Sequence, residues 1–249
     1  MTSPRTFRSF AFLIGFCVVS SGSAQDPAPK IGGTWTISFA VGGNPGRTVE
    51  DRENQGDPPL RPEYRAVWEA RQTAIAEAIA RGEPLATTTI HCLPQGMPSM
   101  MGSGGPFPME ILVSEGQVTI IQEAYNQVRR IYLDRPQLPL ADIEPGFYGR
   151  SVGYWDDDTL VVDTIGIKES VEFRNVPHSP EMRITERIGL VSDDVLRNVV
   201  TIEDPAVLTE PWTVEFTYQR LPEYEMMEYI CEDNREYVDE SGAIRFRAR

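Results

Sequence analysis

The sequence predicts an all-β fold, an antiparallel meander of about eight to ten strands closed as a barrel. Short segments alternate apolar and polar residues, the period that places one face of a strand against a core. Turn-forming residues separate these segments at regular intervals, and helices do not alternate with them, which argues against a parallel α/β sheet. Closure removes the exposed edges of the meander, and a two-sheet β-sandwich is the alternative.

The first predicted element is a strand at residues 31–39, in which Trp35 and every second residue after it are apolar. A loop follows, and Pro62 then suits the first position of a helix. The helix is predicted over residues 62–81, because Gly82 is a typical residue for ending one. It is the one long helix near the N-terminus, and we expect it to lie across the barrel.

The rest of the chain is predicted as strands and turns. The predicted strands are 87–92, 109–113, 117–123, 128–134, 151–155, 159–165, 182–190, 195–203, 212–220 and 225–232. Residues 135–148 form a proline-bearing connection. Residues 93–108 form a loop rich in Gly, Pro and Met, and we expect a flexible lid there because thioether side chains adapt to irregular apolar ligands.

The N-terminus has the pattern of an export signal. Arg5 and Arg8 precede an apolar run at residues 10–19, and small residues lead to a cleavage position after Ala24. The run is too short to span a bilayer as a helix, which needs about 20 residues. We therefore expect a signal peptide at 1–24 and one domain at 25–249, periplasmic or secreted, with no membrane span after cleavage.

The expected export determines how the cysteines are interpreted. Cys17 leaves with the signal peptide, so Cys92 and Cys231 remain as the one pair. Two cysteines in an oxidising compartment usually form a disulfide, although two unpaired buried thiols are the alternative. There is no C-x-x-C spacing and no cofactor-binding motif, so we expect neither a metal nor an organic cofactor.

Charge excludes other classes of partner. The formal net charge of -14 repels phosphate backbones, so nucleic acid is not an expected partner. The sequence also lacks a Gly-rich phosphate loop and the G-x-S-x-G and HExxH motifs. The expected partner is a small molecule, hydrophobic and bearing a carbonyl or carboxylate.

Four residues are candidates for catalysis. His178 is the natural general acid or base near neutral pH. Glu186 and Arg187 are neighbours on one strand, so their side chains point to opposite faces, and the buried one needs a charge partner, for which Asp163 or Arg130 is available. An inward-facing tyrosine can orient a carbonyl or donate a proton; the fourth candidate is Tyr132.

A second set consists of candidates for ligand binding. They are aromatic, methionine or charged side chains on or beside the predicted strands and the long loop. The set is Trp35, Met97, Met101, Glu110, Tyr125, Arg130, Trp155 and Asp163.

Two resemblances add to these patterns. The segment Gly33-Thr34-Trp35 resembles the G-x-W opening of lipocalin-type (calycin) barrels, which implies a lipocalin-like barrel with the tryptophan plugging one end. From Cys92 to Trp212 the sequence resembles a family of secreted bacterial proteins of uncertain function, which implies a shared fold. The matching motifs are Cys92-Leu93-Pro94, Gly96-Met97-Pro98, Trp155, Asp158 to Thr164, His178-Ser179, Glu186-Arg187, Asp204-Pro205 and Pro211-Trp212.

Three functions remain open at this point. The first is an exported barrel that binds a small, mostly apolar ligand in its interior. The second is a cofactor-independent lyase, isomerase or hydratase on the same scaffold, with His178 as general acid or base. The third is a structural envelope protein with a filled core. The surroundings of His178 and the filling of the barrel distinguish them.

Overall fold

The structure is a computed structural model, and it describes residues 30–37, 57–82, 92–102, 107–231, 236–238 and 244–246. Several predictions fall outside these residues. They are the signal peptide 1–24, the strand at 87–91 and the end of the first strand at 38–39. Parts of the loop before the helix and of the loop at 93–108 also fall outside.

The fold is an all-β barrel of nine strands, as predicted, and the two-sheet sandwich is wrong. The strands pair in chain order, and β9 closes the ring by pairing with β1. Their bounds are β1 Gly33–Ile37, β2 Met109–Ser114, β3 Gln117–Gln122, β4 Gln127–Leu133, β5 Arg150–Asp156, β6 Thr159–Ile165, β7 Arg183–Ser192, β8 Val195–Glu203 and β9 Trp212–Arg220.

One pairing departs from the predicted antiparallel meander. Strands β4 and β5 run parallel, with Tyr132 opposite Val152. Parallel neighbours need a connection that returns to the same end of the sheet. Residues 134–149, which include the predicted proline-bearing connection at 135–148, make that return, so the chain enters β5 at the end where it entered β4.

The long helix α1, Pro62–Arg81, has the predicted bounds. Pro62 opens it, and Gly82 ends it in the left-handed conformation with a φ of 70°. None of its residues is buried, which confirms that it lies on the surface. Its first half is fixed to the barrel, because Tyr64 and Trp68 pack against the core and Arg71 pairs with Glu172 at 2.7 Å.

The predicted last strand at 225–232 is wrong for the residues that the structure describes, since 225–231 are irregular. The edge of β9 is already taken by β1, so no pairing position is left for another strand. This segment is instead fastened by single contacts to the β3–β4 turn. The Met227 amide donates to Glu123 Oε2 at 2.9 Å, and the Tyr229 ring packs against Tyr125. A separate hairpin joins β10, Glu236–Val238, to β11, Ile244–Phe246.

One end of the barrel is closed by tryptophan and arginine; we call it the closed end. The Trp35 side chain is fully buried, and its indole nitrogen donates to the Ile31 carbonyl at 2.9 Å. The Arg220 guanidinium lies over the ring, with Cζ 4.0 Å from its centroid, and donates to the carbonyls of Gly32 and Lys30. The start of the described chain is thereby fastened across this end.

The predicted disulfide is present. Cys92 and Cys231 are bonded, with a Cα–Cα distance of 5.6 Å across a separation of 139 residues. The bond joins the segment before β2 to the irregular segment after β9. The later segment leaves β9 at the closed end and reaches the β3–β4 turn at the second end of the barrel, which contains the start of β9 and which we call the mouth.

Candidate functional site

The mouth is filled by residues 92–102, which we call the plug. Its short helix α2, Ser99–Gly102, carries Met100 and Met101 into the core, where at most 2% of either residue is exposed. Contact is close enough that a Cβ on Gly102 would collide with the Phe216 ring. The described part of the predicted Met-lined loop therefore packs into the barrel, and this packing differs from the expected flexible lid.

Hydrogen bonds hold the plug on three sides. Gln127 Oε1 accepts from the Gln95 amide at 3.0 Å, and Ser99 Oγ donates to the Glu172 carbonyl at 3.0 Å. From inside the barrel, the Tyr218 hydroxyl donates to the Met101 carbonyl at 2.6 Å. Burial, and after it the negative charge of Glu186, raise the pKa of Tyr218 well above its ordinary value. The phenol therefore remains a neutral donor to the plug.

Below the plug, the barrel interior contains a fully buried ion pair. Arg129 and Glu186 form a two-pronged contact, and neither side chain is exposed to solvent. Their other polar atoms are also satisfied: Arg129 donates to Ser151 Oγ at 3.2 Å and to Thr164 Oγ1 at 3.0 Å, and Asn198 Nδ2 donates to Glu186 at 2.9 Å. A buried charge persists when its partner and hydrogen bonds replace water, as they do here.

Neither expected partner pairs with the buried member of the two strand neighbours. Of Glu186 and Arg187, Glu186 is the buried one, and its cation is Arg129 instead of Arg130. Asp163 lies on the outer face of the barrel and binds Arg183, while Arg130 is exposed on the outer face of β4.

Beside the plug lies a small pocket, the mouth pocket, whose lining includes Met97, Phe173, Leu208, Trp212 and His178. It contains about 330 Å³ of free space, part of it open to solvent. Its wall is mostly apolar. One polar atom stands out, because Trp212 Nε1 is buried and has no hydrogen-bond partner among the described residues.

His178 faces backbone carbonyls with both ring nitrogens. Nδ1 lies 2.8 Å from the Ser179 oxygen and Nε2 lies 2.9 Å from the Lys168 oxygen. The neighbouring carboxylate of Asp204 is also engaged, accepting from the Ser179 amide at 2.7 Å and from its hydroxyl at 2.8 Å. These groups hold the β6–β7 loop against the mouth.

We expect His178→Ala to lower the free energy of unfolding by about 1 kcal/mol, because the ring nitrogen that carries the proton donates a hydrogen bond to a backbone carbonyl of this loop. Urea titration followed by circular dichroism measures this loss. The control is Glu181→Ala, which removes an exposed side chain from the same loop and should have little effect. Equal stability of the two variants would contradict this structural role.

The other predicted site residues are dispersed. Arg187 lies outside the barrel and pairs with Asp156 at 2.7 Å, and Tyr132 lies on the outer face of β4. Met97 joins His178 at the mouth pocket, and Met101 is in the plug. The remaining positions are Trp35 and Trp155 toward the closed end, Glu110 half-buried on β2, and Tyr125 in the β3–β4 turn.

Two residues that define the interior and the mouth were not among the predicted ones. Arg129 has the same parity on β4 as Ile131 and Leu133, both buried, so alternation alone places it inside. Trp212 begins a strand whose apolar residues alternate, and the same pattern places its ring in the core.

Comparison with known proteins finds no family model that matches the chain and no curated protein that matches it at a significant level. Within the described ranges, no helix is both long enough and apolar enough to cross a membrane. The chemistry of the barrel is therefore the basis for inferring a function.

Proposed function

We propose that this protein is exported and binds a small, mostly apolar molecule that carries a hydrogen-bond-accepting oxygen, such as a carbonyl, in the mouth pocket. The observation that carries the proposal is the Trp212 indole N–H, buried in an apolar wall with no partner in the described part of the chain. A buried unsatisfied donor costs about 1–3 kcal/mol, and an oxygen acceptor on a ligand removes that cost.

The dimensions favour the mouth over the barrel interior. The mouth pocket opens to solvent, and its enclosed part is far smaller than an ordinary ligand pocket, so a ligand needs the pocket to widen. Only a volume about the size of one water molecule is enclosed, so a ligand enters by displacing the flexible side chain of Met97. Deeper in the barrel, the ion pair of Arg129 and Glu186 and the plug occupy the interior.

Export is supported by the disulfide between Cys92 and Cys231, because such bonds persist in oxidising compartments. The signal-like pattern before residue 25 points to the same location.

Binding is better supported than catalysis. A general acid or base needs a ring nitrogen that reaches the substrate, and both nitrogens of His178 face backbone carbonyls. The Glu186 carboxylate is occupied by Arg129 inside the barrel. Among the described residues that line the mouth pocket, the unsatisfied buried donor is an indole N–H, which orients a ligand but does not transfer protons near neutral pH.

We expect Trp212→Phe to reduce the preference for a ketone over a hydrocarbon of similar shape by about fivefold, the equivalent of one ordinary hydrogen bond. The probes are acetophenone and ethylbenzene, with affinities measured by ligand-observed NMR titration. Because phenylalanine retains an aromatic wall, ethylbenzene should bind the variant nearly as well as the wild type.

Trp155→Phe is the matched control, since it removes an indole from near the closed end of the barrel. It should leave both affinities unchanged. Failure of acetophenone to bind the wild type, or an equal ketone preference in Trp212→Phe and the wild type, would contradict the proposed function.

A further inference from the structure

The outer face of the barrel carries a concentration of arginines along the parallel junction of β4 and β5. Arg130, Arg135 and Arg150 line one groove together with Tyr132 and Tyr148, and we call it the arginine groove. The groove contains about 980 Å³ of space that includes open solvent. It shares no lining residue with the mouth pocket.

The parallel pairing explains why the arginines meet. Ile131 lies opposite Ser151 in this register, so the preceding residues, Arg130 and Arg150, are neighbours on the outer face. Tyr132 follows on the same face. Two guanidinium groups lie against its ring, with Cζ of Arg135 at 5.3 Å and Cζ of Arg150 at 5.5 Å from the ring centroid. These cation–π contacts fix the positions of two of the three charges.

No carboxylate neutralises the groove within the part of the chain that the structure describes. Arg130, Arg135 and Arg150 form no ion pair there, and Nη1 of Arg150 is buried without a hydrogen-bond partner. The acidic residue on the adjacent strand, Asp163, is already bound by Arg183 and Gln137.

This arrangement is unusual for the protein as a whole. Its net charge is -14, so carboxylates are abundant, yet three cations face one another at a single groove. Like charges at short distance repel, and a buried guanidinium N–H without an acceptor adds a further cost. An anion with several acceptor oxygens, bound in the groove, offsets the repulsion among the three charges.

We propose that the arginine groove binds a tetrahedral dianionic oxyanion, the phosphate or sulfate group of a small molecule. Guanidinium groups present paired N–H donors that match such oxygens, and three of them favour a doubly charged group over a single carboxylate. Tyr148 also lines the groove, and its phenol, whose pKa burial raises to about 12, is a further hydrogen-bond donor.

Isothermal titration calorimetry with inorganic phosphate, sulfate and acetate tests the proposal on the full chain at low ionic strength. Phosphate and sulfate should bind saturably, and acetate about tenfold more weakly, because one carboxylate satisfies fewer donors and carries half the charge. No saturable binding of phosphate or sulfate would overturn the proposal. Acetate binding as tight as phosphate would overturn the assigned class of anion.

Variants locate the site. Arg150→Gln and Arg135→Gln should each weaken phosphate binding about tenfold, since each removes a charged donor. Arg187→Gln removes the same charge from another exposed position and should change the affinity little. Arg135 is exposed, so its variant keeps the test decisive if Arg150→Gln does not fold. Equal weakening by Arg187→Gln would overturn the placement of the site.

Discussion

Arg129→Met should lower the free energy of unfolding by about 3–5 kcal/mol, because it leaves the carboxylate of Glu186 buried without its cation. Neither side chain is exposed to solvent, so water cannot replace the lost partner without opening the barrel. The variant also removes the donors that satisfy Ser151 and Thr164. Urea unfolding near neutral pH, monitored by tryptophan fluorescence, measures the loss.

Two further variants show whether burial is the cause. The double variant Arg129→Met/Glu186→Leu removes both charges and should recover more than half of the lost stability, since apolar side chains can replace a buried pair at little cost. Arg187→Met breaks the exposed pair with Asp156 and should cost at most about 1 kcal/mol. A single Arg129 variant as stable as the Arg187 variant would refute the buried pair.

The barrel was predictable because the patterns that mark its strands and turns lie within short segments of the sequence. A period of two marks each strand, and residues such as Asp156-Asp157-Asp158 mark the hairpin turns between them. The helix over 62–81 was predictable for the same reason, because Pro62 favours the start of a helix and Gly82 favours its end, each at its own position.

The parallel β4–β5 junction was not predictable, because alternation gives the faces of a strand but not its direction relative to a neighbour. The direction depends on where residues 134–149 return the chain, which is a property of the closed barrel. The wrong prediction of a strand at 225–232 has the same origin. The segment has the sequence pattern of a strand, but β1 already pairs with the edge of β9 that it would need.

The candidate site was only partly predictable, since the prediction chose residues by their chemistry and not by their position. The prediction chose Arg130, whereas the alternation of buried and exposed residues along β4 places its neighbour Arg129 inside the barrel. His178 was chosen because imidazole is a common general acid or base. Its contacts with the carbonyls of Ser179 and Lys168 depend on the geometry of the loop, which the sequence pattern does not give. The arginine groove depends on the parallel pairing of β4 and β5, so no local sequence pattern predicts it.

Cys92→Ala should lower the stability of the oxidised protein by about 2–5 kcal/mol, because the disulfide closes a loop of 139 residues in the unfolded chain. Loop entropy alone gives about 5 kcal/mol for this length, and native strain reduces it. The bond also ties the plug to residues 221–231, so its loss should loosen the mouth. Thermal unfolding of oxidised protein and hydrogen exchange of the plug amides measure the two effects.

Reduction distinguishes the covalent link from the packing of the cysteine side chains. In reducing buffer the wild type loses the link as well, so it should become nearly as unstable as Cys92→Ala under the same conditions. Cys92→Ala/Cys231→Ala should match the single variant, which excludes an effect of the thiol left at Cys231. If the substitution costs the same in oxidising and reducing buffer, the stability comes from the side chain at position 92, and the cross-link does not stabilise the barrel.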